Sequence, residues 1–143
     1  MMDFNQLYLE YKQFIEENSQ YNPKVVKEFT YKSTYFPIID FKHEDSVETR
    51  NRTLDQIEYY DNEDFTINIY AQDKGSLSRN VILDELVNLT HTFMGTYKNM
   101  RRSSCKSLPN LDTDVGRKMM KYKCRWNNVY GNIWRRWKNG KSK

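Results

Sequence analysis

The sequence predicts an α+β fold, in which a mainly antiparallel sheet of four to five strands carries two packed helices. The order of elements is helix, two strands, helix, then two or three strands, which favours helices layered on one sheet. Helical spacing of apolar residues and strict alternation mark the individual elements. A chain of 143 residues can form one domain with its own core. We assign residues 1–137 to that domain and 138–143 to a basic, disordered tail.

The first predicted element is a helix over residues 3–19. Its apolar side chains recur at steps of three and four and form one stripe, made of Phe4, Leu7, Tyr8, Tyr11, Phe14 and Ile15. Breakers follow from Asn18 to Pro23. Residues 35–43 then predict a strand. Because proline lacks a backbone N–H, Pro37 belongs near its start or at a sheet edge.

The next two segments predict an arm and a second strand. Residues 44–56 are polar and mixed in charge, too long for a tight turn, and we expect them to form a protruding hairpin arm. Over residues 57–71, Phe65, Ile67 and Ile69 alternate with polar neighbours, which predicts a strand.

A second helix follows a break at residues 73–76, with Ser76 or Ser78 as its cap, and ends near residues 95–99. Its apolar residues keep steps of three and four, at Ile82, Leu86, Leu89, Phe93 and Tyr97. His91 falls inside this helix, where a polar-face or satisfied core histidine is the usual role.

The C-terminal third predicts strands with one turn. The segments, in order, are a third strand over 100–108, a turn at 109–112, a fourth strand over 115–127 and a fifth that opens at 130–131 and ends near Trp137.

Charge reverses sharply near residue 98. Residues 1–97 hold 9 Lys and Arg against 17 Asp and Glu, whereas residues 98–143 hold 14 basic residues against Asp112 and Asp114. A cationic end of this kind binds a polyanion or the anionic end of another copy.

The fourth predicted strand is the sharpest pattern in the chain. Its odd positions are Arg117, Met119, Lys121, Lys123 and Arg125, and its even positions are Met120, Tyr122, Cys124 and Trp126. Period two places the cations on one face and the apolar row on the other. A solvent-exposed outer face above a core-facing apolar row would by itself explain the pattern of this strand.

The flanking segments extend the pattern. They add Arg101, Arg102, Arg135, Arg136 and Lys138. Such clustering exceeds what solubility needs. Trp134 and Trp137 beside the arginines suit either stacking on nucleic-acid bases or anchoring a protein interface.

The sequence offers no candidate catalytic residue, cofactor site or metal site, and we expect a protein that is not an enzyme. His43 and His91 are far apart in sequence, and Cys105 and Cys124 lack partners at ligand spacing, which favours two reduced thiols. No nucleophile elbow, P-loop or dinucleotide fingerprint occurs. No apolar run approaches the roughly 18 residues of a membrane span, and no signal peptide is visible, so we expect no membrane partner.

Several segments are similar, in amino-acid sequence and in order along the chain, to segments of one known family. They are Tyr35–Phe41, Thr53–Asp55, Phe65–Ala71, Leu108–Asp112, Arg117–Tyr122 and Gly131–Arg135. Through them, over residues 35–137, the chain resembles the tail terminator proteins of long-tailed bacteriophages.

The resemblance implies a structural virion protein with no enzymatic activity. It implies a homo-oligomeric ring, a hexamer, that caps the tail tube, stops tube polymerisation and helps to join tail to head. The implied partners are the tail tube protein and a head–tail connector or stopper protein, with DNA passing through the lumen. The implied location is the head-proximal end of the virion tail, after assembly in the host cytoplasm.

Two sets of residues are candidate interfaces. The basic set is Arg117, Lys121, Lys123, Arg125, Arg135 and Arg136, of which the first four are expected to meet carboxylates of an adjacent subunit or tail protein. The arm set is Glu44, Asp45, Glu48, Arg50 and Arg52, expected to become ordered against the tail tube. The alternative function is a small nucleic-acid-binding protein that uses residues 98–143. The acidic first part opposes that alternative, because it repels a polyanion.

Overall fold

The computed structural model describes residues 2–27, 35–52, 57–109, 114–128 and 130–133. Its elements are α1 (Phe4–Asn18), β1 (Lys24–Val26), β2 (Ile38–Arg52), β3 (Ile57–Ala71), α2 (Arg79–His91), a π-helical segment (Thr92–Tyr97), β4 (Arg101–Leu108), β5 (Gly116–Asn127) and β6 (Asn132–Ile133). Within this part of the chain the strands form one sheet in the order β1-β2-β3-β5-β4, and β6 pairs with β5. The α+β prediction is confirmed.

The sheet is mixed rather than purely antiparallel, because the short β1 runs parallel to β2. The other pairings, β2 with β3, β3 with β5, β4 with β5 and β5 with β6, are antiparallel. The sequence analysis missed β1, since three residues are too few to show a period.

Helix α1 forms as its apolar stripe predicts. The Asp3 side chain caps it by accepting a hydrogen bond from the backbone N–H of Gln6. The buried face consists of Leu7, Tyr8, Tyr11 and Ile15. The Tyr11 ring lies 5.0 Å from the Phe41 ring on β2, so the helix is fixed to the sheet through aromatic contacts.

Strand β2 corrects the prediction for residues 44–56. The expected arm is not a separate loop, because β2 continues to Arg52 and pairs with β3 along its whole length, with an irregularity between His43 and Asp45. Strand β5 supports β3 from its other side up to Tyr60, so only the last residues of the hairpin extend beyond β5. The tip, residues 53–56, lies outside the described residues.

The extended hairpin contains a buried carboxylate with two partners. Glu63 is fully buried; the imidazole Nε2 of His43 contacts its carboxylate, and the hydroxyl of Ser46 donates a hydrogen bond to it at 2.8 Å. These contacts satisfy the polar group that burial would otherwise make costly.

Helix α2 begins and ends as predicted. The Ser78 side chain accepts a hydrogen bond from the backbone N–H of Asn80, and the helix passes directly into the π-helical segment that ends at Tyr97. Gly116 lets the helix approach β5 closely, because a Cβ atom there would lie 2.9 Å from the Leu83 side chain.

The last strands agree with the prediction where the structure describes them. Strands β4 and β5 match residues 100–108 and 115–127 closely, and β6 lies within the predicted fifth strand. Residues 134–143, which include Arg135, Arg136 and the predicted tail, lie outside the described residues.

One polar pair connects the two helices inside the core. The hydroxyls of Tyr11 on α1 and Thr90 on α2 lie 2.8 Å apart, and both side chains are fully buried. Burial strongly raises the pKa of the Tyr11 phenol, so the hydroxyl stays protonated.

We expect Tyr11→Phe and Thr90→Val each to lower the free energy of unfolding by about 1 kcal/mol, because each leaves one buried hydroxyl without its partner. The double variant should lose less than the sum of the two, since it removes both hydroxyls. Urea denaturation of the four proteins measures this cycle. Strictly additive losses would show that the hydroxyls do not interact.

Candidate interaction surface

Both helices pack on the same face of the sheet, and the opposite face is named here the open face. The helix-covered face contributes Ile39, Phe41, Phe65, Ile67, Ile69, Met120 and Tyr122 to the main core. The open face carries a small apolar cluster of Ile38, Tyr70 and Val115 at the end of the sheet next to β1. Further along, it becomes polar.

Strand β5 separates its side chains as the sequence predicts. Met120 and Tyr122 are fully buried under the helices, while Cys124 and Trp126 pack against the edge of the same core. The odd-numbered cations lie on the open face and form what we call the cationic row: Arg117, Lys121, Lys123 and Arg125. The predicted two faces of this strand are confirmed.

Arg117 is held by contacts within its own chain. Its guanidinium donates two hydrogen bonds to the Asn68 side-chain oxygen, at 3.2 and 2.9 Å, and lies 5.5 Å from the centre of the Tyr70 ring. Its position at the apolar end of the open face is therefore fixed by contacts with β3. Arg117 therefore contributes to the fold as well as to the cationic row.

The remaining cations of the row are more exposed. Lys121 and Lys123 are exposed, and they lie opposite Thr66 and Asp64 of β3. The Arg125 guanidinium lies 4.8 Å from the centre of the Tyr60 ring. The row therefore presents positive charge to solvent along more than half of β5.

The charge reversal of the sequence becomes a lateral charge difference across the sheet. Strands β2 and β3 contain 8 acidic and 3 basic residues, whereas β4 and β5 contain 8 basic residues and no acidic residue. Because β3 pairs directly with β5, opposite charges also meet within the chain itself. Sequence reasoning could not find this arrangement, since the pairing partner of β5 is a long-range property.

The arm set lies on the other side of β3 from the cationic row. Glu44 is exposed on β2, and Asp45, Glu48, Arg50 and Arg52 belong to the same strand. The structure describes the backbone of these four residues but not their side chains. The basic and arm sets are thus two separate surfaces.

Strand β4 is a surface that sequence reasoning did not single out as a site. Six of its eight residues are exposed and the other two are half-buried, so neither face of the strand is covered. Arg101 and Lys106 lie opposite Lys123 and Met119, which places them on the open face beside the cationic row. The sequence signal for this surface was a predicted strand that has no alternating apolar row.

Asp40 introduces a buried charge beneath the open face. Its side chain is almost fully buried; one carboxylate oxygen lies 3.6 Å from the Lys42 Nζ, and the other has no hydrogen-bond partner among the described residues. Burial raises the pKa of this carboxyl, against the lowering effect of Lys42.

Side chains that could act as metal ligands are scattered over the described part of the chain. Its histidine, cysteine and acidic side chains form no group of three that could hold a metal ion. His91 Nδ1 lies 3.1 Å from the Tyr122 hydroxyl, as a satisfied helix histidine does.

The two cysteines are free thiols in different surroundings. Cys105 is exposed on β4. Burial, with added repulsion from Glu63 and Asp64, raises the pKa of the Cys124 thiol to about 12.

The sequence matches no protein-family model, and comparison with curated proteins finds no significant match. Among the described residues, the helices are all too short or too polar to cross a membrane.

We expect Asp40→Asn to raise the free energy of unfolding at pH 7. Because the folded-state pKa is raised, the ionised carboxylate destabilises the fold above both its unfolded and folded pKa values, and contributes nothing below both. The gain should therefore shrink as the pH falls toward 3. Urea denaturation at both pH values, with the exposed Asp84→Asn as control, measures it. A variant less stable than wild type at pH 7 would contradict this account.

We expect a maleimide at pH 8 to label Cys105 in the folded protein and Cys124 only after unfolding. With a pKa of about 12, the thiolate fraction of Cys124 is on the order of one in ten thousand. Peptide mass mapping locates the label, and Cys105→Ser should abolish labelling of the folded protein. Comparable labelling of both thiols in the native state would refute the assignment.

Proposed function

We propose that this protein is a structural subunit of a long-tailed bacteriophage particle. Its copies close into a ring, a hexamer by the family resemblance, that caps the tail tube, ends tube growth and helps to join tail to head. The resemblance over residues 35–137 supplies the biological setting. One observation of the fold supports it: the acidic β2–β3 hairpin and the basic β4–β5 pair lie on opposite sides of one sheet.

A closed ring needs two different surfaces that complement each other. Each subunit of a cyclic oligomer presents one surface to the neighbour on one side and another surface to the neighbour on the other side. A sheet that is acidic at one side and basic at the other meets this requirement with a single chain. Charge then sets register and association rate, while buried area supplies most of the affinity.

The cationic row gives the ring a second contact surface. Lys121 and Lys123 point away from the core on the open face, so they remain available to carboxylates of an adjacent subunit or of the tail tube protein. A ring that binds the tube through one surface, and offers no copy of the tube's own growing end on the other, stops polymerisation by geometry. DNA passes through the ring lumen, and the head–tail connector or stopper protein binds the far side.

A nucleic-acid-binding protein is the second candidate function. The observation that favours it is the cationic row on an uncovered sheet face, with Arg101 and Lys106 beside it. The observations against it are Asp64 and Glu44 near that surface and the acidic β3 that pairs with β5. Steeply salt-dependent DNA binding by a monomer would favour this candidate over the ring.

The ring proposal predicts that Lys121→Glu with Lys123→Glu weakens assembly. Reversing both charges should lower the affinity of each contact at least about tenfold, or ~1.4 kcal/mol, because like charges then face each other. Lys24→Glu with Lys74→Glu is the matched control, since it changes net charge equally at exposed lysines outside the cationic row.

Analytical ultracentrifugation, with each protein alone and with tail-tube subunits, measures the result at low and physiological salt. Wild type and control should form rings, and the Lys121/Lys123 variant should not. A wild-type protein that stays monomeric in every condition would overturn the proposed function. Unimpaired assembly of the Lys121/Lys123 variant would show that the cationic row takes no part in the proposed function.

A further inference from the structure

Strand β4 ends the sheet with an uncovered edge. It pairs with β5 from Arg101 to Leu108, and no described residue pairs with its other side. The strand contains no proline, so every residue has both a backbone N–H and a C=O group. An eight-residue edge strand of this kind is a template for a strand from another chain.

The exposure of β4 shows that the edge is accessible from three sides. Both faces of the strand are open to solvent, since none of its eight residues is buried. In contrast, β3 has a continuous buried stretch from Phe65 to Ala71. A strand that lacks its own core contacts gains most from pairing with a neighbour.

The opposite side of the sheet offers a matching edge. Strand β1 covers β2 only at Ile38, Ile39 and Asp40. From Phe41 to Arg52, no described residue pairs with the outer side of β2. Residues 43–48 of this stretch contain Glu44, Asp45 and Glu48 and no lysine or arginine, while Lys42, Arg50 and Arg52 flank them.

Strand direction permits pairing between these two edges. Strands β2, β3, β5 and β4 alternate in direction, because each neighbouring pair in this order is antiparallel. When two copies of the sheet stand side by side in the same orientation, β4 of one therefore runs antiparallel to β2 of the next. Antiparallel edges pair through ladder hydrogen bonds, here on either side of the irregularities between Arg102 and Ser104 of β4 and between His43 and Asp45 of β2.

Charge selects β2, rather than a second β4, as the partner of β4. The edge strand carries Arg101, Arg102 and Lys106 and no acidic residue. Two β4 strands paired with each other would bring these cations together, and directly opposed like charges destabilise a strand pair. Residues 43–48 of β2 contain three carboxylates and no lysine or arginine, so pairing with this segment replaces that repulsion by attraction. The cations thus block pairing of like edges and favour pairing of unlike edges.

We infer that the outer edge of β4 pairs antiparallel with the outer edge of β2, within residues 41–52 and centred on the acidic residues 43–48, in a second copy of this chain. The sheet then continues from subunit to subunit. This inference rests on the proposed homo-oligomer and names the contact that builds it. The contact is heterologous, so it closes into a ring when the rotation between copies divides a full turn.

Amide hydrogen exchange of the wild-type protein tests the contact directly. In the monomer, the outward N–H groups of residues 101–108 and 41–52 exchange freely, and in the ring they should exchange at least about tenfold more slowly. Peptides from α2 and from the middle of β5 serve as controls, because their N–H groups are already bonded within the subunit. Unchanged exchange of β4 in a formed ring would overturn the inference.

Charge-reversed variants test which edges meet. Arg101→Glu with Lys106→Glu makes the β4 edge acidic, and Glu44→Lys with Glu48→Lys makes the β2 edge basic. Each variant alone should fail to assemble, while an equal mixture of the two should recover assembly, because unlike edges face each other again at every contact. Recovery on mixing also shows that both chains are folded. If the Glu44/Glu48 variant alone assembled as well as the wild-type protein does, the pairing with β2 would be overturned.

Different results would overturn the proposed function and the edge contact. A ring whose β4 amides stay unprotected leaves the proposed function standing and removes the edge contact. A chain that remains monomeric, alone and with tail-tube subunits, overturns both.

Discussion

The antiparallel pairing of β3 with β5 is the interaction on which the rest of the structure depends. It joins the two halves of the chain over 12 residue pairs, from Tyr60 opposite Asn127 to Ala71 opposite Gly116. It places Met120 and Tyr122 under the helices and the cationic row on the open face. A shift of one residue would turn that row into the core, so the burial of these side chains strongly fixes the register.

The parts of the fold that the sequence predicts are those with strong side-chain periodicity. Helix α1 has an apolar stripe, and β3 and β5 alternate, because each buries one face against the other layer. Residues 44–52 have no such alternation, since their place in β2 depends on backbone pairing with β3. A backbone ladder leaves no mark in side-chain polarity, and for that reason the sequence suggested an arm.

The candidate surface also has one part that the sequence predicts and another part that it does not. The cationic row is visible from one strand alone, because period two is a local property. The contacts of Arg117 with Asn68 and Tyr70 depend on which strand lies beside β5, so no local pattern predicts them. The edge position of β4 is likewise a property of the whole sheet. Its lack of an apolar row acquires meaning only when the strand is known to be last.

The lateral charge difference is compensated in the middle of the sheet and not at its two outer sides. At the β3–β5 pairing, acidic and basic strands lie together and their charges compensate within the chain. At the outer sides of the sheet, the acidic residues 43–48 of β2 and the basic β4 each lack such a neighbour among the described strands. Pairing these sides between copies would place the acidic residues 43–48 beside the basic β4 at every boundary between copies, as β3 lies beside β5 within the chain. An open row of copies would leave one β2 edge and one β4 edge unpaired, and only closure into a ring would remove both.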